Sequence, residues 1–339
     1  MSITKEKQTG RKVATHETPE TMRAAAIDRF GPPDVLTLHT LPVPTVEKGE
    51  VLIALHTAGV GSWDAEMRAG WWPEGKPKFP LVLGTDGSGH IVAMGSHSQR
   101  LRVGDAVYSY SFMNPKGGYY AQYIAVAEDN VARIPDGLTM REAGAIPTTG
   151  LTAIQGIDGA LGVRANEAVA IVGASGGVGS LAVQFAKLRG ARVLAVASGD
   201  DGLSLARKLG ADEAIDGRKA DVRAHARDFA PEGLDAVLGL AGGEPLEHLV
   251  KTVHDGGRVA WPNGVEPEPA KRRGIHMVSY DAIAGVREFE HLGRAVEEVA
   301  KKEKLRVVIA AEFALAEAAE AHQRIEQGHV LGKIVLRIR

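Results

Sequence analysis

The apolar positions in the first third of the chain fall in short runs that Gly, Pro and Asp interrupt. Runs of this length, closed by turn residues, are typical of β-strands in a small barrel-like domain. The predicted strands span 51–56, 91–94, 107–110, 119–126 and 131–134. The pattern therefore predicts a β-rich N-terminal region.

After Gly150, β-prone apolar runs alternate with helical spacers. Six runs recur, at 168–172, 192–197, 213–215, 235–240, 258–261 and 275–280. Three spacers carry apolar residues at helical spacing: Val178, Leu181, Ala182, Phe185 and Leu188; then Leu203, Ala206 and Leu209; then Leu246, Leu249, Val250 and Val253. Parallel neighbouring strands require such crossovers, so this region predicts a doubly wound parallel sheet of the Rossmann type.

The rhythm changes again from about Asp281. A charged amphipathic helix is predicted at 287–304, an Ala-rich helix at 314–327 and a final strand at 332–338. We expect this tail to complete the first domain, which makes the parallel sheet an insertion. The predicted domains are a catalytic domain from 22–147 and 282–339, and a dinucleotide-binding domain from 148–281, preceded by a polar, flexible tail at 1–21.

Composition narrows the classes of function. Apolar residues make up 44% and charged residues 24%, and 40 Lys and Arg against 42 Asp and Glu give a net charge of −2. A nucleic-acid surface needs a concentrated basic stripe, which such a balance does not favour. The absence of cysteine excludes disulfides, thiol nucleophiles and Cys-ligated metals, and fits a cytoplasmic location. No apolar run approaches the ~20 residues that span a bilayer.

A glycine-rich turn follows the first run of the parallel region. Its residues are Gly173, Ala174, Ser175, Gly176, Gly177, Val178 and Gly179, and an amphipathic helix begins within it. Unpaired N–H groups at a helix N-terminus attract a diphosphate once glycines remove the Cβ obstruction. A glycine turn also serves tight helix–strand packing, but its place after the first of six alternating strands favours dinucleotide binding.

The end of the second predicted strand bears on the choice of nucleotide. NAD sites usually hold an acid there, whereas NADP sites are neutral and add a cation for the 2′-phosphate. The strand ends at Ser198, which favours NADP(H), although Asp200 and Asp201 follow it. Arg218 would supply the cation or is an ordinary solvated arginine. We predict NADPH over NADH, with NAD(H) as the alternative.

The chain resembles the medium-chain dehydrogenase/reductase superfamily, in its zinc-free quinone oxidoreductase (zeta-crystallin-like) branch. The matching stretches are 22–25 with 30–31, 58–64, 83–89, 103–107, the glycine loop and 332–336. The resemblance implies a GroES-like catalytic domain built from both chain ends, an inserted six-stranded Rossmann domain, and a homodimer or homotetramer.

The resemblance also bears on zinc. Zinc alcohol dehydrogenases of the superfamily carry their three metal ligands at positions that align with Gly61, Thr85 and Ala145, none of which is a good zinc ligand. The four-cysteine structural lobe is absent too. The histidines, among them His16, His39, His97 and His225, are scattered without ligand spacing. We therefore expect no metal site.

Without a metal, the resemblance implies hydride transfer from NADPH to a quinone or to the β-carbon of an α,β-unsaturated carbonyl. The cleft residues would be Gly61, Trp63, Thr149, Thr152, Ala241 and Asn263. Trp63, Trp71 and Trp72 would wall a slot for a planar substrate, or Trp71 and Trp72 would pack in the core. Solvent or Tyr110 would supply the proton, and Asp64 is expected to cap a helix.

Three glycines depart from the family pattern. Gly61 replaces an Asn, Gly202 replaces a Lys and Gly217 replaces a Tyr, and the last two weaken the NADP prediction. Two alternatives remain open: a zinc-independent alcohol or carbonyl oxidoreductase, and a cofactor-binding protein with little turnover.

Overall fold

The computed structural model describes residues 18–73, 75–96, 100–302 and 305–339. Most of the predicted tail, His16 and His97 lie outside the described residues. Within the described ranges, no helix is both long and apolar enough to cross a membrane.

The N-terminal part is rich in strands, as predicted. In chain order its elements are β1 (Thr21–Ile27), β2 (Thr37–Pro42), β3 (Glu50–Val60), α1 (Ser62–Ala69), β4 (Leu81–Val82), β5 (Asp86–Met94), β6 (Ala106–Tyr110), β7 (Tyr123–Ala127), β8 (Val131–Arg133), α2 (Met140–Ala143) and α3 (Pro147–Ile154), which continues into a π-helical turn at Gln155–Ala160. The second region follows with β9 (Ala168–Val172), α4 (Gly177–Leu188), β10 (Arg192–Ala197), α5 (Gly199–Lys208), β11 (Glu213–Asp216), α6 (Val222–Phe229), β12 (Leu234–Gly239), α7 (Glu244–Val250), β13 (Val253–Pro262) and β14 (His276–Tyr280). The tail contains α8 (Val286–Lys302), β15 (Ile309–Ala314), α9 (Ala318–Glu326) and β16 (Lys333–Arg337).

The second region forms the predicted parallel sheet. Its strand order is β11-β10-β9-β12-β13-β14, and every pair is parallel. One apolar cluster packs Phe185 and Phe289 against one face, and another packs Phe229 and Leu246 against the other. The sheet is therefore covered on both faces, which confirms the doubly wound α/β fold.

The C-terminal tail joins the N-terminal strands. Strand β16 pairs antiparallel with β3 and parallel with β15, in a seven-stranded sheet that also holds β5, β6, β7 and β8. The predicted boundary between residues 147 and 148 falls at the start of α3, and the one between 281 and 282 follows β14. As exact domain limits, both stay predictions.

Several element bounds differ from the sequence predictions. Strands β1, β2, β4 and β15 were not predicted, and Val253 opens β13 instead of ending α7. The Ala-rich helix predicted from residue 314 begins only at Ala318, because Ala314 pairs with Arg337 as the last residue of β15. Alanine favours a helix and is depleted in strands, so the pairing of Ala314 with β16 overrides its local propensity.

Candidate active site

The carboxyl ends of the six parallel strands share one edge of the sheet. Gly173 follows β9, Ser198 follows β10, Ala241 comes just after β12 and Asn263 follows β13. The chain runs outward from β9 in one direction and then resumes at β12 on its other side. Because the strands are parallel, these four predicted residues lie at one edge of the sheet. Ligands of doubly wound sheets bind in the crevice where the strand order reverses in this way.

The glycine loop requires its glycines for close approach. A Cβ on Gly179 would lie 2.1 Å from the carbonyl oxygen of Gly173, and Gly173 itself has φ +77°. Gly176 is the N-cap of α4 and provides no side-chain cap, so the first N–H groups of that helix point out of the loop unpaired by side chains. Ser175 and Val178 lie in the same turn, half-buried or buried. This geometry is suited to a diphosphate.

Two threonines of α3 lie behind the loop. Thr149 is buried and its Cγ2 would lie 3.1 Å from a Cβ on Gly177, so it packs directly against the loop. Its hydroxyl donates to the carbonyl of Ala145 at 2.9 Å, and the hydroxyl of Thr152 donates to the carbonyl of Thr148 at 2.8 Å. Both predicted cofactor contacts therefore have hydroxyl protons engaged with their own helix.

The tail also reaches this loop. The N–H of Gly332 donates to the carbonyl of Ser175 at 2.9 Å, and Gly332 forms an isolated parallel bridge with Gly176. The segment before β16 and the glycine loop are thus in direct contact, so residues from the end of the chain lie at the carboxyl edge of the parallel sheet.

The predicted cleft residues of the N-terminal part lie around Trp63. Its Nε1 donates to Thr85 Oγ1 at 3.0 Å, and the ammonium of Lys333 lies 4.9 Å above its ring. A Cβ on Gly61 would lie 2.3 Å from Cε2 of the indole. The departure from the family's Asn at position 61 therefore makes room for this tryptophan.

The other predicted aromatics have different environments. Trp71 is 48% exposed and Trp72 packs partly against the core of the N-terminal part. Tyr110 ends β6 opposite Asp86, and burial raises the pKa of its phenol, with the nearby carboxylates adding to the shift. A phenol of raised pKa is a weaker acid, so Tyr110 is a poor source for the proton of the reaction.

The positions that align with zinc ligands do not suit the metal. Gly61 has no side chain, Thr85 Oγ1 already accepts a hydrogen bond, and Ala145 is buried and apolar. Among the described residues, no group of three His, Cys, Asp or Glu side chains is placed to hold a metal ion. The donor set at these positions does not fit zinc.

A buried polar chain next to the cleft was not predicted. Asp64 Oδ2 accepts the N–H of Gly61 at 2.8 Å, which confirms its capping role, and also accepts the hydroxyl of Tyr120 at 3.1 Å. Tyr120 in turn lies 3.2 Å from Nε2 of His322. Burial raises the pKa of Asp64 to about 7 and lowers that of His322 to about 3. The Asp64 carboxyl therefore carries a proton over part of the physiological range.

Buried charged side chains surround the hydrogen-bonded set of Asp64, Tyr120 and His322. Lys333 is 6% exposed and its Nζ lies 3.9 Å from Asp86 Oδ1, while Asp86 Oδ2 accepts the N–H of Thr148. Arg68 is 2% exposed and pairs with Glu326. The sequence offers one sign that Lys333 is buried, because this lysine opens an otherwise apolar strand. No pattern in the sequence indicates that Arg68 and Asp86 are buried.

The residues predicted to lie near the ribose follow β10 and β11. Arg218 is exposed, and its backbone N–H donates to Asp216 Oδ1 at 2.9 Å. Within the described residues its guanidinium forms no hydrogen bond or ion pair. Asp216, which sequence reasoning missed because the third strand was ended one residue early, is 8% exposed and accepts the N–H of Gly199 at 3.2 Å.

Two family models match the chain. "Alcohol dehydrogenase GroES-like domain" matches residues 47–136, and "Zinc-binding dehydrogenase" matches residues 209–336. The first covers much of the N-terminal strand region. The second begins inside the parallel sheet and extends through the tail.

Relatives align over nearly the whole chain. The quinone oxidoreductase of Mus musculus is 29% identical, covering 93% of this chain and 97% of its own, and the alcohol dehydrogenase of Geobacillus stearothermophilus is 32% identical, covering 94% and 99%. The native structure of a mycobacterial protein complexed with NADPH is 25% identical with a TM-score of 0.81, covering 94% of this chain and 100% of that one. The chain belongs to the medium-chain dehydrogenase/reductase superfamily, and within it is a quinone-oxidoreductase-like reductase.

Proposed function

We propose that the protein binds NADPH along the carboxyl edge of its parallel sheet and transfers hydride to a quinone or an α,β-unsaturated carbonyl without zinc. The observation that carries this proposal is the glycine loop between β9 and α4, where a Cβ on Gly179 would meet backbone at 2.1 Å. Bound there, the dinucleotide supplies the hydride. The residues proposed to hold it are Gly173, Ser175, Gly176, Gly177, Val178 and Gly179 at the diphosphate, Ser198 and Arg218 at the ribose, and Thr149, Thr152, Ala241 and Asn263 toward the nicotinamide.

The choice of acceptor rests on the cleft and on the relatives. The indole nitrogen of Trp63 already donates to Thr85, and one face of the ring lies under the Lys333 ammonium, so the proposed flat wall is the remainder of this half-buried ring. Such a wall suits a planar acceptor. The mouse relative is named a quinone oxidoreductase, and a mycobacterial structure was determined with NADPH, which supports both halves of the proposal.

Zinc independence rests on donor chemistry. Gly61, Thr85 and Ala145 occupy the three aligned ligand positions, and Asp64 and Asp86 nearby are bonded to Gly61, Tyr120 and Thr148. In this proposal the cleft orients the acceptor and solvent donates the proton, because its raised pKa makes Tyr110 a weak acid.

A second candidate is zinc-independent reduction of a carbonyl or oxidation of an alcohol. The alcohol dehydrogenase of Geobacillus stearothermophilus, 32% identical, favours it. The missing metal ligands argue against it, since an unactivated carbonyl needs stronger polarisation than a quinone.

The test combines calorimetry with an acceptor panel. Purified protein is titrated with NADPH, and oxidation of NADPH is then followed by absorbance with quinones, enals, enones, aldehydes and ketones. We expect binding, turnover with quinones or enones, and no loss of rate after treatment with a chelator. Turnover confined to aldehydes would support the second candidate, and inactivation by the chelator would contradict zinc independence. Binding without turnover of any acceptor would indicate a cofactor-binding protein, and absence of heat with either nucleotide would refute the proposal.

A further inference from the structure

The turn at 328–332 brings a histidine from the end of the chain to the carboxyl edge of the parallel sheet, where the nucleotide is proposed to bind. His329 has φ +47°, in the left-handed region. Arg324 of α9 holds the turn, because its guanidinium donates to the carbonyls of Gly328 at 2.9 Å and of His329 at 3.2 Å. The turn is therefore held by α9 at one end and, through the hydrogen bond from Gly332 to Ser175, by the glycine loop at the other.

The imidazole of His329 lies on the loop that follows β10. Its Nε2 is 3.0 Å from Asp201 Oδ2, and its Nδ1 is 3.3 Å from Ser198 Oγ. Gly199 between them has φ +74°, and a Cβ there would lie 2.8 Å from Asp201 Oδ1 and 3.2 Å from His329 Cε1. The glycine thus permits both the turn and the close approach of the ring.

Hydrogen-bond roles in this group depend on the charge of His329. Asp201 accepts only, so Nε2 carries a proton toward it. When the ring is neutral, Nδ1 must accept, and the Ser198 hydroxyl donates to it. When the ring is protonated, Nδ1 donates to Ser198 Oγ, and the Ser198 proton is free to donate elsewhere, for instance to a phosphate oxygen.

The charges around His329 make its own charge decisive. The charged groups that contact His329, or the residues bonded to it, are Asp201, Asp216, Lys219 and Arg324, and Asp200 and Arg218 lie next to them in the sequence. Arg324 is engaged with carbonyls, Lys219 lies 3.8 Å from Asp216, and the hydrogen bond from His329 holds the pKa of Asp201 below its usual value. Histidine is the side-chain type that changes charge between about pH 5 and 8. Neutral His329 leaves the Asp201 carboxylate uncompensated next to Ser198, and protonated His329 offsets it.

Building on the proposed function, we propose that His329 is a specificity-determining residue for the ribose 2′ position: when protonated it strengthens binding of a 2′-phosphate relative to a free 2′-hydroxyl, and when neutral it loses that advantage. Protonation acts twice in the same direction: it adds a positive charge, and it turns the Ser198 hydroxyl into a donor. In this assignment His329, from the other end of the chain, supplies a positive charge in addition to that proposed for Arg218.

The experiment measures Kd for NADPH and for NADH by calorimetry at about pH 6 and about pH 8, using the full chain. For the unaltered protein, we expect the ratio of Kd for NADH to Kd for NADPH to fall about tenfold from the lower to the higher pH, the effect of one charge-assisted hydrogen bond. In His329→Asn, which tolerates the left-handed backbone and cannot become charged, the fall should be less than about threefold. Because the 2′-phosphate itself ionises near pH 6, the comparison between the two proteins isolates the histidine.

Two further variants sharpen the test. His225→Asn is the matched control: His225 on α6 lies 3.0 Å from Glu213 at the amino end of β11, away from the carboxyl ends of the strands, and its loss should leave both Kd values and their pH dependence unchanged. Asp201→Asn removes the uncompensated carboxylate and should tighten NADPH binding at about pH 8 by about threefold or more while sparing NADH.

The outcomes separate this inference from the proposed function. If the unaltered protein binds neither nucleotide, the proposed function fails. If it binds both, and His329→Asn keeps the same pH dependence or weakens NADH and NADPH equally, the role of His329 is refuted while the proposed function stands.

Discussion

At Asp64 the fold removes a carboxyl group from water completely while leaving Oδ1 without a hydrogen bond among the described residues. Burial, followed by the charge of Asp86, raises the pKa of this group, and the N–H of Gly61 and the charge of Lys333 oppose the rise. His322, which is linked to Asp64 through the Tyr120 hydroxyl, is kept neutral by burial and by the charge of Arg68. Because burial shifts the pKa of both groups, the free energy of unfolding depends on pH through each of them.

The two contributions have opposite signs. Folded Asp64 keeps a proton up to about pH 7 that the unfolded chain loses above about pH 4, so its contribution to stability falls as pH rises between these values. Folded His322 stays neutral down to about pH 3, whereas the unfolded chain gains a proton below about pH 6.5, so its contribution falls as pH drops through that window. Over much of the acid range the two slopes offset each other.

Asp64→Asn should reveal the carboxyl's share. Relative to the unaltered protein, its free energy of unfolding should be higher at about pH 8 than at about pH 5 by roughly 2 to 3 kcal/mol, because the variant escapes the cost of ionising a buried group. Urea denaturation at the two pH values measures this difference. Asp228→Asn, at an exposed carboxylate on α6, serves as the control and should differ by less than about 0.5 kcal/mol. Equal effects of Asp64→Asn at both pH values would show that the carboxyl is ionised throughout.

At the scale of elements, one ion pair joins two helices from opposite ends of the chain. Arg68 of α1 is almost fully buried, and Glu326 of α9 is its partner, with the Glu326 side chain 41% exposed. The Nε and Nη1 atoms of Arg68 have no hydrogen-bond partner among the described residues. Removing the carboxylate would leave a buried cation unpaired, which is costlier than losing a surface pair.

We therefore expect Glu326→Gln to lower the free energy of unfolding by about 1 to 3 kcal/mol, the lower part of the range for a broken buried pair because water can reach the glutamate side. Glu320→Gln makes the same change at an exposed position of α9 and should cost less than about 0.5 kcal/mol. Urea denaturation of the two variants measures the difference. Equal stabilities would mean that Arg68 is satisfied without Glu326.

At the scale of the whole molecule, the parallel sheet ends in an open edge. In the part of the chain that the structure describes, strand β14 pairs with β13 alone, and Val278 on β14 is 43% exposed. A sheet edge of this kind is a template for pairing with a second copy, and natural proteins prevent such pairing with lysine. The homodimer or homotetramer implied by the family resemblance stays a prediction, with this edge as its candidate contact.

Val278→Lys should then shift the mass measured by light scattering toward that of one chain at micromolar concentration, because a charge at the contact opposes association. Val103→Lys places the same charge at a 47% exposed valine on a loop of the N-terminal part and should leave the mass unchanged. An unaltered protein that already has the mass of one chain, or a Val278→Lys variant that keeps the larger mass, would contradict this role for β14.

The sequence alone determined the parallel sheet and the glycine-rich turn. Both are encoded locally: apolar runs alternate with helical stripes, and Gly173 to Gly179 run from the end of a strand into the first turn of the helix that follows it. Strands β9 and β10 have the bounds that the pattern predicted. Gly61 and Gly202 were recognised as departures from the family, but the tryptophan that requires Gly61 could not be inferred, since the contact depends on a rotamer.

Only the tertiary structure decided the polar groups that tune the site. His329 meets Ser198 across 131 positions and Tyr120 meets His322 across 202, and no periodicity in a sequence reports such pairs. The pKa values of Asp64 and His322 likewise depend on burial, which arises only when β16, α9 and the N-terminal strands pack together. Local pattern specifies backbone conformation, whereas the charge state of a side chain is set by whatever the fold brings within a few ångströms of it.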